Sequence, residues 1–344
     1  MKDINIPPKL ISLTRMTLEK TDCRIKIQAD LSDSFLVNDG LRQGDALSCL
    51  LFNIVLDKCM QASKIEKDGT IFYKSVQVLG YADDLDIVSR SRQALNNAYL
   101  ALESATQAAG MCVNQDKTKY MPVLSVQKTP LEESIKIGTN TFATVRDFVY
   151  LGSLVTADNE ISSEINRRIT SANKCYFGLL PYLRSKILSR SLKILVYKTL
   201  LRPILTYGAE CWVLSKKDEN SLLIFERKVL RRVFGAMQDN GFWRIRYNHE
   251  LYELFKEPNV VRTIKLLRMQ WAGHVQRMEG TRAPKRLMEG TLEGRRSRGR
   301  PRGRWSDGVE RDMRVLGVRS WKEAASDRLK WKNMLDQAKA HPGL

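Results

Sequence analysis

Two adjacent carboxylates, Asp83 and Asp84, are the residues whose type and placement most plainly invite chemistry. They follow Tyr81-Ala82 and lie between two short apolar runs, residues 76–81 and 85–88. The runs read as strands, with Ala82-Asp83-Asp84 as the tight turn between them. An apolar hairpin packed in a sheet holds its tip rigidly while the tip itself stays in solvent. Two carboxylates there make a hard-oxygen site suited to Mg²⁺, which takes one or two carboxylates and fills its shell with water and substrate phosphates. Two-metal phosphoryl chemistry needs such a site. Asp also favours turns for purely local hydrogen bonding, so the pair taken alone reads equally as an ordinary turn.

The elements around the pair mix strands and helices. Residues 24–28 (RIKIQ) alternate polar and apolar and 34–37 (SFLV) partly repeat the pattern, which predicts a hairpin; Asn38-Asp39-Gly40 predicts a turn. Leu47, Leu50, Leu51, Ile54, Val55 and Cys59 recur at helical spacing and predict a helix over 46–62, after which Lys67-Asp68-Gly69-Thr70 breaks the chain. Ser91 is placed to cap a helix carrying Leu95, Ala98, Tyr99, Leu102 and Ala105 on one face, with Gly110 at its end. Residues 134–137 and 142–145 flank Gly138-Thr139-Asn140 as another hairpin, and 148–155 (FVYLGSLV) reads as one further strand. The absence of strict alternation between strands and helices predicts an α+β fold.

Near residue 160 the pattern turns helical. Ile161, Ile165, Arg168, Ile169, Ala172, Tyr176 and Leu179 share a face, with Arg167, Arg168 and Lys174 near its edge. Further helices are expected over 189–201, from a capping box at Ser215-x-x-Asp218 to Gly235, and over 259–278. The last is expected to start at a second capping box, Ser320 with Glu323, where Trp321 and Trp331 could anchor a small helical cap.

Lys and Arg total 57 against 38 Asp and Glu, a formal charge of +19. Such a charge attracts polyanions, nucleic acid first and an anionic membrane surface second. No apolar run is long enough to span a bilayer, and MKDINIPPKL lacks the apolar core of a signal peptide. The six cysteines are scattered, and the three histidines do not complete zinc spacing with them; reduced thiols in an intracellular protein are expected. Residues 280–304 read as a flexible basic linker, because Gly and Pro exclude a long helix. Within it Arg295, Arg296, Arg298, Arg300, Arg302 and Arg304 stand without an acid, suited to phosphate contacts that read no sequence. A nuclear-import signal is an equal reading of this run, so the nucleus is the expected location.

Four segments then fall in a telling order. Gly40-Leu41-Arg42-Gln43-Gly44-Asp45-Ala46-Leu47-Ser48 precedes Tyr81-Ala82-Asp83-Asp84; Gly110-Met111-Cys112-Val113-Asn114-Gln115-Asp116-Lys117-Thr118-Lys119 and Tyr150-Leu151-Gly152 follow. This series resembles the reverse transcriptases of non-LTR (LINE-type) retrotransposons. The resemblance implies an RNA-directed DNA polymerase using Mg²⁺, an RNA template, a DNA primer and deoxynucleoside triphosphates. It implies a partial right-hand polymerase: a palm with incomplete fingers over 1–157, an all-helical thumb over 158–236, and a basic C-terminal region over 237–344. Asp83 and Asp84 match the family's catalytic, metal-binding pair. Arg42, Gln43 and Gly44 match the segment against the incoming nucleotide and template, and Gly44 suits a close backbone approach. Lys117 would sit near the triphosphate. Tyr81 and the Tyr150-Leu151-Gly152 turn would contact the primer, and Arg167, Arg168, Lys174 and the arginine run would follow the nucleic-acid backbone. Trp271-Ala272-Gly273-His274 and Gly299-Arg300-Pro301 resemble the C-terminal region of animal elements of this kind.

Two departures bear on activity. Cys49 stands where the family has Pro, which changes the start of a helix. The family's first palm motif, with a third catalytic aspartate ahead of a segment like Pro7-Pro8-Lys9-Leu10, has no counterpart: Asp3 is too close to Pro7, and Asp22, Asp30 and Asp33 fall too late. The expectation is therefore a truncated chain of impaired catalysis, or a gene whose reading frame continues upstream. The alternative is a catalytically dead remnant that binds nucleic acid by charge. A sequence-specific DNA-binding regulator fits less well, since neither zinc-finger spacing nor a clear helix-turn-helix is present.

Overall fold

A computed structural model describes residues 1–19, 21–37, 40–41, 44–65, 77–123, 132–290, 303–341 and 343. It is α+β and divides into two compact units, residues 1–118 with 136–142 and residues 119–135 with 143–344.

In the first unit α1 (Pro8–Leu18) starts with proline in its first turn, where no amide donor is missed. Then come β1 (Thr21–Cys23), β2 (Lys26–Ile27), β3 (Asp30–Leu31) and β4 (Phe35–Val37). The single hairpin expected from the alternation is two nested ones: β1 pairs with β4, and β2 with β3 inside them. The chain reverses early because Gln28 adopts a left-handed φ of 54°. α2 (Ser48–Ala62) matches the helix read from leucine spacing. The predicted turn residues Asn38 and Asp39 and the breaker at 67–70 lie outside the described residues.

β5 (Gln77–Tyr81) and β6 (Asp84–Val88) form the carboxylate hairpin, and α3 (Arg92–Ala108) follows. Ser91 Oγ accepts from the Ala94 amide at 3.1 Å, as the capping pattern predicted. α3 buries Ala98, Tyr99 and Leu102, and also Glu103 and Thr106. Tyr99 Oη donates to Glu103 at 2.9 Å, and Asn140 donates to both. The Phe142 ring meets Tyr99 edge-on with centroids 5.1 Å apart.

β7 (Lys119–Tyr120) runs parallel to the end of β9 (Asn140–Thr144), which forms the expected hairpin with β8 (Ser134–Ile137); the elements that follow belong to the second unit. The run expected as one strand over 148–155 is a hairpin, β10 (Asp147–Tyr150) with β11 (Ser153–Thr156). Its two turn residues, Leu151 and Gly152, both have positive φ, 46° and 78°, the turn that matches the twist of paired strands.

Helices follow: α4 (Ile161–Arg184), α5 (Arg190–Val196), α6 (Arg202–Thr206) and α7 (Lys216–Phe234). α4 continues through Pro181, and a π-helical stretch at Tyr197–Leu201 joins α5 to α6, so the helix expected over 189–201 runs on to Thr206. Both bonds of the Ser215–Asp218 capping box form. A ribbon of β12 (Met237–Asp239) and β13 (Phe242–Arg244) leads to α8 (Asn248–Phe255) and α9 (Val260–Gln276). These helices and the first half of α9 enclose one core, with Ile165, Tyr197, Leu201, Leu222, Leu230 and Ile264 fully shielded.

A second core gathers on the far half of α9. α10 (Ala283–Glu289) lies inside the stretch read as linker and buries Lys285, whose ammonium donates to the Gln276 carbonyl at 2.7 Å. α11 (Trp305–Val315), α12 (Trp321–Ser326) and α13 (Arg328–Ala340) complete the cap that Trp321 and Trp331 anchor. The expected Ser320 capping box does not form; Asp327 instead caps α13, accepting from Leu329 and Lys330, and this splits the predicted helix in two. Gly273 is required here, because a Cβ at this position would stand 2.1 Å from Trp331 Nε1.

Candidate active site

The carboxylates sit where strand pairing puts them. Tyr81 opposes Asp84, Gly80 opposes Leu85, and Leu79 opposes Asp86. The turn is therefore Ala82-Asp83 alone, with Ala82 at φ 53°, and Asp84 is the first residue of β6. Asp83 and Asp84 are exposed, as is Tyr81 beside them at 69%. A Cβ on Gly80 would meet Leu85 Cδ2 at 2.8 Å, so the glycine makes room for the leucine that seats the hairpin. α3 packs on β6, and α2 packs on α3.

Strand alternation places Asp86 on the same face as Asp84. Asp86 is half-buried, and burial pushes its carboxyl above the ordinary range. In the sequence Asp86 is marked only by its spacing of two from Asp84.

Gly40 and Gly44 take φ of 94° and 92°, and nothing lies near where a Cβ would point. In this chain Gly44 thus answers first to backbone conformation. Asp45 Oδ1 accepts from the Leu47 amide at 3.0 Å and braces the entry to α2, which starts at Ser48 with Cys49 exposed in its first turn. Arg42 and Gln43 lie outside the described residues. Lys117 is exposed on a turn that Asn114 holds, accepting from the Lys117 amide at 3.1 Å through its side chain and from Thr118 Oγ1 at 2.8 Å through its carbonyl.

In the second unit, the Leu151-Gly152 turn is clamped from several directions. Arg167 donates to the Gly152 carbonyl at 3.1 Å, Arg168 donates to the same oxygen, and Tyr207 Oη donates to the Leu151 carbonyl at 2.9 Å. Glu164, 2% exposed, binds Arg168 Nε at 2.6 Å and accepts from the Leu154 amide at 3.0 Å. The Arg168 guanidinium lies 4.5 Å over the Tyr207 ring. The resemblance placed Arg167 and Arg168 on a nucleic-acid backbone. The geometry commits both to the turn first, and Arg168, 11% exposed, has little left to offer solvent. Glu164 and Tyr207 were not anticipated; the signal for Glu164 was its helical spacing from the two arginines. Lys174 is exposed on α4. Arg304 is the exposed residue preceding α11, and Arg295, Arg296, Arg298, Arg300 and Arg302 lie outside the described residues.

Residues 2–155 match the family described as reverse transcriptase (RNA-dependent DNA polymerase). The chain is 22% identical over 259 residues to a transposon-derived protein of Caenorhabditis elegans, covering 74% of this chain and 92% of the relative. It is 23% identical over 243 residues to the RNA-directed DNA polymerase from mobile element jockey of Drosophila melanogaster, and 27% identical over 149 residues to the Pol polyprotein of an R2 retrotransposable element of Nasonia vitripennis. Over these residues the chain is similar to the reverse transcriptases of LINE-type elements. The chain covers 25% of the jockey polymerase and 14% of the R2 polyprotein, with 67% and 39% of its own length in those matches. Among the described residues no group of three or more His, Cys, Asp or Glu gathers as a metal cluster, and no helix is long and apolar enough to cross a membrane. Asp83 and Asp84 by themselves fit Mg²⁺ in donor type, two hard oxygens on an exposed tip with room for water and phosphate around them.

Proposed function

We propose that the chain carries the nucleotide-adding surface of an RNA-directed DNA polymerase, which extends a primer 3′-OH with deoxynucleotides on an RNA template. One observation supports this above others: a hairpin backed by α3 exposes Asp83 and Asp84 at its tip. Bound Mg²⁺ supplies Lewis-acid activation of the attacking oxygen and charge neutralisation of the leaving pyrophosphate. The two aspartates hold that charge in place, and Tyr81 offers an exposed ring beside them. Arg42, Gln43 and Gly44 line the nucleotide and template, and Lys117 offers its ammonium to the triphosphate. The Leu151-Gly152 turn supports the primer end with Tyr150, and Arg167, Arg168, Glu164 and Tyr207 position that turn. In this reading residues 1–157 are palm with partial fingers, 158–236 are thumb, and 237–344 add basic contacts, with Lys174 and the arginine run on the nucleic-acid backbone. The arginine run also suits import into the nucleus.

A second reading is a remnant that holds nucleic acid by charge alone. It draws on the finding that, among the described residues, no group of three or more His, Cys, Asp or Glu is placed to hold a metal ion. Primer extension on an RNA template with Mg²⁺ separates the two. Extension that disappears in Asp83→Ala supports the polymerase. Salt-sensitive binding that is equal in both proteins, without extension in either, supports the remnant. Extension that survives in Asp83→Ala removes the carboxylate pair from the mechanism.

A further inference from the structure

In the second unit an aromatic ribbon stands in solvent. β12 and β13 pair across Asn240-Gly241, both at positive φ, 48° and 86°, the two-residue turn that matches strand twist. Phe242 and Trp243 are successive residues of β13, so their rings point to opposite faces; they are 80% and 73% exposed.

The ribbon is held firmly. Arg244 donates to Glu250 at 2.7 and 3.0 Å and to Asp239 at 2.8 Å, and its guanidinium lies 4.5 Å over the Tyr247 ring. Tyr247 stacks on His249 with centroids 5.9 Å apart and planes 12° from parallel. Those bonds join the ribbon to the first turn of α8. They also hold the Glu250 carboxyl down at about 2, with Arg244 as the chief cause.

The surrounding charge favours a polyanion. Residues 231–256 carry Arg231, Arg232, Arg244, Arg246 and Lys256 against Asp239, Glu250 and Glu253. Two of those three acids are occupied by Arg244. Ile245 and Tyr247, beyond Trp243, are exposed as well, at 72% and 59%, and it is the excess of basic residues around them that favours nucleic acid over a protein partner. Phe242 and Trp243 each offer a face to a single base, and base–aromatic stacking tolerates any sequence.

We propose that the β12–β13 ribbon is a stacking site for unpaired nucleotides of single-stranded nucleic acid, one base against Trp243 and another against Phe242. The proposal rests on the nucleic-acid reading above and adds to it a contact that needs no metal.

The test uses the full chain in EDTA with a short fluoresceinated oligouridylate, read by anisotropy across a salt series. The double variant Phe242→Ala/Trp243→Ala should weaken binding by about ten-fold or more. That ratio should stay constant as salt rises, since stacking releases no counterions, and Trp243→Phe should keep most of the affinity. Both rings are exposed, so an unchanged thermal midpoint is expected alongside. Wild-type affinity in the double variant overturns the ribbon site alone, as does a loss that fades with salt. Self-association abolished by the double variant with oligonucleotide binding intact also overturns it and makes the ribbon a protein contact. No binding by the wild-type chain overturns both this inference and the nucleic-acid reading beneath it.

Discussion

In the helical part of the second unit, Ile165, Leu201, Leu205, Leu222, Leu230, Leu251 and Ile264 have no exposed surface. Among the described residues of the first unit the buried hydrophobics are Cys59, Ala98, Tyr99, Leu102, Ile137 and Phe142, while Met16, Ile27, Leu31 and Leu36 are 59–71% exposed. The carboxylate hairpin belongs to the thinly packed unit. The most deeply shielded charge, Glu226, belongs to the densely packed one and serves structure. Stability and the proposed chemistry are thus placed in different parts of the chain. Substitutions should separate accordingly: large unfolding effects in the helical unit, small ones at the hairpin.

Glu226 should give the largest effect. Its carboxylate accepts from Tyr197 Oη at 2.7 Å, from Tyr252 Oη at 3.1 Å and from the Val260 amide at 3.0 Å, and Arg202 lies at 3.9 Å. It therefore ties α7 to the π-helical stretch, to α8 and to the N-terminus of α9, where an anion is favoured. Glu226→Ala leaves those donors buried and unmatched and should cost about 3–5 kcal/mol in urea unfolding. A loss below about 1 kcal/mol would mean the dense unit does not depend on its central charge.

Glycines supply a finer comparison inside the same unit. Gly273→Ala would drive a methyl group into the Trp331 ring and should cost about 1–3 kcal/mol, with a changed near-UV spectrum from the displaced indole. Gly178 lies in α4 with open space where a Cβ would go, so Gly178→Ala should stabilise by about 0.5–1 kcal/mol. Equal signs at the two sites would break the packing argument.

How much of this was legible in sequence follows the same divide. The carboxylate hairpin, α2 and the cap at Ser91 were readable because each is set by local pattern: alternation, leucine spacing, a hydroxyl before a helix. The 24–37 region misled because a left-handed Gln28 reverses the chain early, and nothing about glutamine signals that. Residues 148–155 look like a continuous apolar run, and only Gly152 hints that they fold back. A helix does start after Ser320 as expected, but without the capping bond, and Asp327 caps a second helix, α13, so the break between the two is set by a residue inside the predicted span. The Glu164–Arg168–Tyr207 clamp brings together residues distant in sequence, and spacing alone identifies only its two helical members. Gly273 in the Trp271-Ala272-Gly273-His274 motif could be matched to relatives, but its physical reason, the Trp331 ring, comes from another helix.

Tyr99 is a buried polar group of the thin unit whose titration should be visible. Tyr99, 7% exposed, has its hydroxyl pushed up to about 12, chiefly by burial and then by its bond to Glu103. Its folded value lies above the unfolded value near 10, so its contribution is complete below pH 10 and fades as pH rises through about 12. Backbone amides of α3 should lose protection over that window in the wild type. Tyr99→Phe should lack that alkaline step, and a step of unchanged size in the variant would assign the titration elsewhere.

The smallest stability effect belongs to the hairpin tip, and it sharpens the comparison most. Asp83 occupies a two-residue turn, is exposed, and packs against no core. Asp83→Ala should therefore shift unfolding by no more than about 0.5 kcal/mol, the range of surface changes away from caps and networks. The same substitution should remove any Mg²⁺-dependent stabilisation, because a ligand that binds only the folded chain raises its midpoint by mass action. Titrating Mg²⁺ into both proteins during thermal unfolding tests the two halves together. A metal-free destabilisation above about 1 kcal/mol would make Asp83 a structural turn residue and return the pair to ordinary turn chemistry. A midpoint that rises with Mg²⁺ equally in both proteins would place the cation elsewhere on the chain.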